Sequence, residues 1–237
     1  PAFGWSLGET RFDWPTLVRA KETEISRLSE IYAANLGRSK VEIIRERATV
    51  AGPHAVGLPG GRTVTAQHIL IATGGAPDQA LAIQGQEHAI TSNELFDLPA
   101  FPRRLLVVGG GYIAVEFACL FRRLGAEVTQ VLRADNILRG FDEDMRAGLR
   151  DELARAGIQF RFARLPQRIE RDGDLRRVTL TDGETLEVDA VLMATGRSPN
   201  TRGLGLEEAG VRLNARGAVV VDERSASSVP SIHAVGD

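Results

Sequence analysis

Gly109-Gly110-Gly111-Tyr112-Ile113-Ala114 directly follows the apolar run Leu105-Leu106-Val107-Val108. A buried strand that ends in G-x-G-x-x-A and opens a helix is the fingerprint of a dinucleotide site. Gly109 permits the tight turn, Gly111 lets backbone approach a pyrophosphate, and Ala114 allows helix and strand to pack closely. The helix N-terminus supplies unpaired N–H groups for the anion. Where an NAD site usually places an acid for the ribose 2′-hydroxyl, the chain reads Thr129-Gln130-Val131-Leu132, with Arg133 next and Arg139 beyond it. Two guanidinium groups there suit a 2′-phosphate through charge-assisted hydrogen bonds, so the expected nucleotide is NADPH rather than NADH. The alternative is Asp135 as a displaced ribose ligand.

Glu116 stands in the first turns of an otherwise apolar helix, where a carboxylate is costly to bury without a partner. It either binds the nicotinamide carboxamide, pairs with a lysine, or complements the helix dipole. Tyr112, at the mouth of the glycine turn, either covers the nicotinamide pocket or packs. Cys119 lies among Phe117, Ala118, Leu120 and Phe121 and reads as a small buried hydrophobe. His54, His68, His88 and His233 show no ligand spacing, so no metal site is expected.

The elements that must position these residues follow from periodicity. Val18, Ile25, Leu28, Tyr32 and Leu36 predict an amphipathic helix from a cap at Asp13 to a stop at Gly37. Short β-rich runs follow at 41–44, 48–50, 55–58 and 63–65, then a buried strand at 68–72 ending in Thr73-Gly74-Gly75, then a proline-bearing connector to Arg104. The strand before Gly109, a helix over 112–124 and a strand over 127–132 form a βαβ unit. A helix over 142–156, a strand over 158–162 and a β meander carry the chain to Val191-Leu192-Met193-Ala194. With 237 residues, 43% hydrophobic and 25% charged, the chain can bury one large or two modest cores, which excludes a disordered or fibrous protein. A net charge of −2 gives no bulk attraction to nucleic acid or an anionic membrane, and no apolar stretch approaches the roughly 20 residues of a membrane span. One cysteine excludes an internal disulfide framework and fits a reducing cytoplasm.

The sequence also repeats itself. Arg62–Pro77 (RTVTAQHILIATGGAP) lies without a gap over Glu184–Pro199 (ETLEVDAVLMATGRSP), and Gly61 falls on Gly183. Two copies of one domain type are implied. In the second copy the glycine turn precedes Ala-Thr-Gly by 86 residues, so the first copy's turn would fall upstream of Pro1. The expectation is a larger protein with both ends removed.

Together with Phe3-Gly4-Trp5, Phe12-Asp13-Trp14, the helix carrying Lys21, Ile25 and Leu28, Ile137-Leu138-Arg139-Gly140-Phe141-Asp142 and Ala194–Thr201, these motifs resemble the glutathione reductases of the flavoprotein pyridine nucleotide-disulfide oxidoreductase family over essentially the whole chain. The resemblance implies an α/β, Rossmann-like three-layer FAD/NAD(P)-binding fold with two related dinucleotide-binding domains, the first incomplete. Residues 1–75 would be a partial FAD-binding domain, 76–198 the NADPH-binding domain, and 199–237 a truncated return into the first. It further implies a homodimeric enzyme that passes a hydride from NADPH to FAD and then electrons to a cysteine pair that reduces glutathione disulfide. By motif position Gly110, Ile113, Glu116, Arg133, Arg139 and Gly196 would serve NADPH, with Tyr112 as a gate. Ala48, Thr73 and Gly74 would lie along FAD, Asp237 at its ribityl or pyrophosphate region, and Arg197 near the flavin. The cysteine pair and an acid–base histidine are expected outside this chain, which would then bind NADPH without retaining FAD tightly or turning over. The alternatives are a reductase acting on trypanothione, mercuric ion or thioredoxin, and a non-catalytic NADPH-binding module.

Overall fold

The computed structural model describes residue 8, residues 10–78 and residues 81–237. Phe3-Gly4-Trp5 lies outside the described residues. In chain order the elements are α1 (Trp14–Arg38), β1 (Thr49–Gly52), β2 (Ala55–Gly57), β3 (Thr63–Thr65), β4 (Ile69–Ile71), β5 (Gly75–Pro77), α2 (Ser92–Leu95), β6 (Arg104–Val108), α3 (Tyr112–Arg123) and β7 (Glu127–Leu132). They continue with α4 (Glu143–Arg155), β8 (Gln159–Phe162), β9 (Pro166–Asp172), β10 (Leu175–Leu180), β11 (Thr185–Val188), β12 (Ala190–Met193), β13 (Arg197–Pro199) and β14 (Ile232–Ala234). The chain forms two compact units, one taking the chain up to Tyr32 and the central sequence through Thr195, the other Ala33–Asp78 and Gly196–Asp237.

The first unit is built on a parallel sheet of order β12-β6-β7-β8. Its central strands are apolar on both faces because both are covered. Leu105, Val107, Val128, Leu132 and Leu192 join Ala114, Val115, Ala118 and Phe121 of α3 and Leu153 of α4 in one core. On the other face Leu106, Val108, Val131, Val191 and Met193 pack against Ile169, Val178, Leu180 and Val188 of the antiparallel meander β9-β10-β11. Helices, parallel sheet and meander make three layers, as expected for the Rossmann-like class.

The start of α1 belongs to this unit. The Asp13 carboxylate caps it by accepting from the Thr16 N–H at 2.8 Å. The Trp14 indole donates to the Leu98 carbonyl at 2.7 Å and packs beside Phe101 and Phe121. The expected first segment, 1–75, therefore does not pack as one piece. Three further sequence readings are corrected. The helix runs through Gly37 and closes where Lys40, at φ 59°, donates to the Gly37 carbonyl and Val41 to the Leu36 carbonyl, a Schellman closure that needs no glycine stop. Ile25, Tyr32 and Leu36 are exposed rather than buried. Residues 41–44 form no strand.

The second unit contains the meander β1-β2-β3, the parallel pair β4–β14 and the antiparallel ribbon β5–β13. Its core is Val50, Ile69, Ile71, Leu204, Leu206, Val211 and Ile232. The sequence repeat is structural. The pairs Gly57↔Thr63, Val56↔Val64 and Ala55↔Thr65 recur 122 residues later as Thr179↔Thr185, Val178↔Leu186 and Arg177↔Glu187. In each copy a parallel strand follows, β4 or β12, and then a glycine at positive φ, Gly74 at 65° or Gly196 at 151°. The next three residues of the two copies pair with each other, Gly75 with Pro199 and Pro77 with Arg197. Since Gly75 corresponds to Arg197 and Pro77 to Pro199, the ribbon has a local two-fold relationship.

Candidate functional site

At the end of β6 the chain turns at Gly109, whose φ of 134° is a conformation L side chains rarely adopt. A Cβ there would sit 2.1 Å from the Ala194 carbonyl oxygen, so only glycine fits. The Gly109 N–H donates to Val131 at 2.8 Å, and its carbonyl accepts from the amide of Gln130 at 2.9 Å. Gln130 is fully buried, and its Oε1 has no partner. Gly111 caps α3 with φ −79° and ψ 177°, no side chain capping the helix, and no atom within 4 Å of where a Cβ would lie. The first turn of α3 thus has no side-chain cap, and uncapped N–H groups at a helix start suit an anion. Ala114 is fully buried against the strand, as close packing requires.

Arg133, immediately after β7, and Arg139 are exposed, and neither makes a hydrogen bond or ion pair among the described residues. The loop that bears them is tied to the glycine turn, because Leu138 donates its N–H to the Gly110 carbonyl at 2.6 Å. Leu138 holds φ 52° and Gly140 φ 95°, with Phe141 donating back to the Leu138 carbonyl at 3.1 Å. Asp135 is exposed on the same loop.

Glu116 corrects an expectation. It is exposed, because it falls on the solvent side of α3 between buried Val115 and Ala118, so no buried charge needs a partner. Tyr112 is 55% exposed, uncovered rather than packed, and Ile113 is half-buried. Cys119 is partly buried, and burial raises its thiol above the usual range. Among the described residues no group of histidines, cysteines and acids is arranged to hold a metal.

In the second unit, Thr73, Gly74, Thr201, Val219, Gly236 and Asp237 line one hollow. Gly74 and Gly236 take positive φ, 65° and 101°, with no atom within 4 Å of where their side chains would begin, so the backbone is bare to a ligand. Arg197 donates from its guanidinium to the Gly75 carbonyl, and a Cβ on Gly75 would be 3.6 Å from the Cβ of Asp237. Gly75, Arg197 and Asp237 thus converge. Gly196, expected with the nucleotide set of the glycine turn, belongs to this unit and accepts the Asp78 N–H at 2.9 Å. Ala48, half-buried just before β1, does not line the hollow.

Residues 6–237 match the family of pyridine nucleotide-disulphide oxidoreductases. The chain belongs to that family. It is 46% identical to a glutathione reductase of Burkholderia cepacia over 99% of this chain and 52% of the relative. It is 40% identical to the chloroplastic/mitochondrial glutathione reductase of Pisum sativum, over 99% of this chain and 43% of that one. A trypanothione reductase of Trypanosoma congolense is 39% identical, over 99% and 51%. The solved HOCl-induced flavoprotein disulfide reductase of Escherichia coli superposes with a TM-score of 0.89 at 30% identity, over 95% of this chain and 52% of that one. The chain spans about half the length of these relatives.

Within this pyridine nucleotide-disulphide oxidoreductase chain, sequence reasoning missed Gln130, Asn136, Leu138 and Arg146 at the first site and Thr201 and Gly236 at the second. Gln130 carried a signal, a polar residue on the strand face that Val128 and Leu132 give to the core. The contacts of Asn136 and Arg146 stay within ten residues, but they depend on how the loop folds back onto α4, and no motif marks that. Among the described residues no helix is long and apolar enough to cross a membrane.

Proposed function

We propose that this chain is the NADPH-binding unit, with part of the FAD-binding unit, of an NADPH-dependent glutathione-disulfide reductase. The observation that carries the reading is the pair of partnerless guanidinium groups, Arg133 and Arg139, on a loop hydrogen-bonded to the glycine turn, where an NAD site would present an acid. The relatives named glutathione reductase support the substrate.

The free N–H groups of Gly111, Tyr112 and Ile113 would take the pyrophosphate, and Gly109 and Ala114 shape the turn that presents them. Arg133 and Arg139 would take the 2′-phosphate, Tyr112 would cover the nicotinamide, and exposed Glu116 is free to accept from its carboxamide. Thr73, Gly74, Arg197 and Asp237 would hold FAD. When bound, NADPH supplies a hydride and FAD relays its two electrons to a cysteine pair. With Cys119 the sole cysteine of these 237 residues, that pair would come from sequence outside them. The full-length enzyme would act as a homodimer in the cytoplasm on glutathione disulfide.

The test is NADPH oxidation by the full-length protein with glutathione disulfide, trypanothione disulfide and oxidised thioredoxin as competing acceptors. Glutathione disulfide is expected to give the highest kcat/KM. A higher value for either of the others replaces the substrate, and no reduction of any of the three overturns the enzyme reading.

A further inference from the structure

Resting on the NADPH reading above, we propose that Asn136, Glu143 and Arg146 are positioning residues that set nucleotide selectivity by fixing the arginine-bearing loop against the glycine turn. Asn136 is only 6% exposed, yet both ends of its amide are used. Its Oδ1 accepts from the Ile137 N–H at 3.0 Å, and its Nδ2 donates to Oε1 of Glu143 at 3.0 Å. Arg146, on the first turn of α4, donates through Nε to the Ile137 carbonyl at 2.6 Å and through Nη1 to Glu143. Both backbone polar groups of Ile137 are therefore held by side chains, while its own side chain is fully buried in the core.

This restraint acts two residues before Arg139. Leu138 takes a left-handed φ of 52°, unfavourable for a residue with a Cβ, and in that conformation its N–H reaches the Gly110 carbonyl. Arg139 follows directly. Its guanidinium has no partner among the described residues, so its place depends on the backbone that carries it. A planar fork binds phosphate well only when preorganised, since otherwise binding must order the loop. A nucleotide with a 2′-phosphate senses that ordering and one without it does not. A network that served only to start α4 would affect stability, or both nucleotides alike.

The experiment is calorimetric titration of the 237-residue chain with NADPH, NADH and 2′,5′-ADP, alongside thermal unfolding, for Asn136→Ala, Arg146→Ala, Arg146→Lys and Glu143→Gln. Asn136→Ala and Arg146→Ala are expected to weaken NADPH and 2′,5′-ADP roughly tenfold, the scale of one charge-assisted hydrogen bond, with NADH within about twofold. Arg146→Lys, which keeps a donor for Ile137 and a cation for Glu143, recovers part of the lost ratio. Glu143→Gln, at a side chain 68% exposed, keeps the acceptor for Asn136 and folds even where Asn136→Ala does not, and it gives an intermediate loss. A wild-type preference for NADPH that these variants leave unchanged overturns the positioning role alone. A wild-type chain that binds both nucleotides equally overturns the NADPH reading and this inference with it.

Discussion

Gly109 and Ala194 meet backbone to backbone, so closely that a side chain on residue 109 would overlap the Ala194 carbonyl oxygen at 2.1 Å. The Ala194 N–H in turn donates to Val108 at 2.8 Å. The glycine turn and the Ala-Thr-Gly segment, with Gly109 and Ala194 85 residues apart, are thus one construction at the ends of neighbouring parallel strands.

Two glycines of that turn should respond in opposite ways. Gly109→Ala adds left-handed strain and a backbone clash, and a loss of about 2–4 kcal/mol of stability is expected by denaturant unfolding. Gly111→Ala has ordinary φ and open space around its Cβ, so stability should change by less than about 0.5 kcal/mol while NADPH binding falls, because the methyl fills the anion cradle. A large stability loss at Gly111 would mean that its open space is not reserved for a ligand.

Acid sensitivity should appear at α2. The Thr91 hydroxyl donates to the Glu94 carboxylate at 2.6 Å and the Thr91 N–H at 2.7 Å, and these bonds hold Glu94 below its ordinary value of 4.5. A carboxylate with a lowered folded pKa contributes stability above its unfolded value and loses it as pH falls through the folded one. The melting temperature of Glu94→Gln should lie below wild type at pH 7, and the gap should close on acidification below about pH 4. A gap that stays constant from pH 7 to pH 3 would show that the capping box does not depend on the charge.

The glycine turn between strand and helix and the internal repeat were legible because each is written in short runs of residue types whose backbone needs are specific. The β2–β3 register could be read from a gapless alignment since a meander's pairing is set by its short turns. Glu116 was misread because its side of α3 depends on where the helix meets the sheet, which composition does not reveal. Residues 41–44 look β-rich but leave Val41 and Ile43 exposed and pair with no strand among the described residues. Asn136 and Arg146 were invisible for a different reason, since side chains that grip a neighbouring backbone group, here that of Ile137, follow no fixed residue pattern.

The central claim, a nucleotide site selected by a 2′-phosphate, is tested most directly by titrating NADPH and NADH into the wild-type chain and into Arg133→Ser/Arg139→Ser. Neither arginine has a side-chain partner among the described residues, so the fold should be unaffected. The expected result is tighter binding of NADPH by wild type, reduced by at least about tenfold in the double variant, with NADH unchanged. Equal losses for both nucleotides would contradict the account.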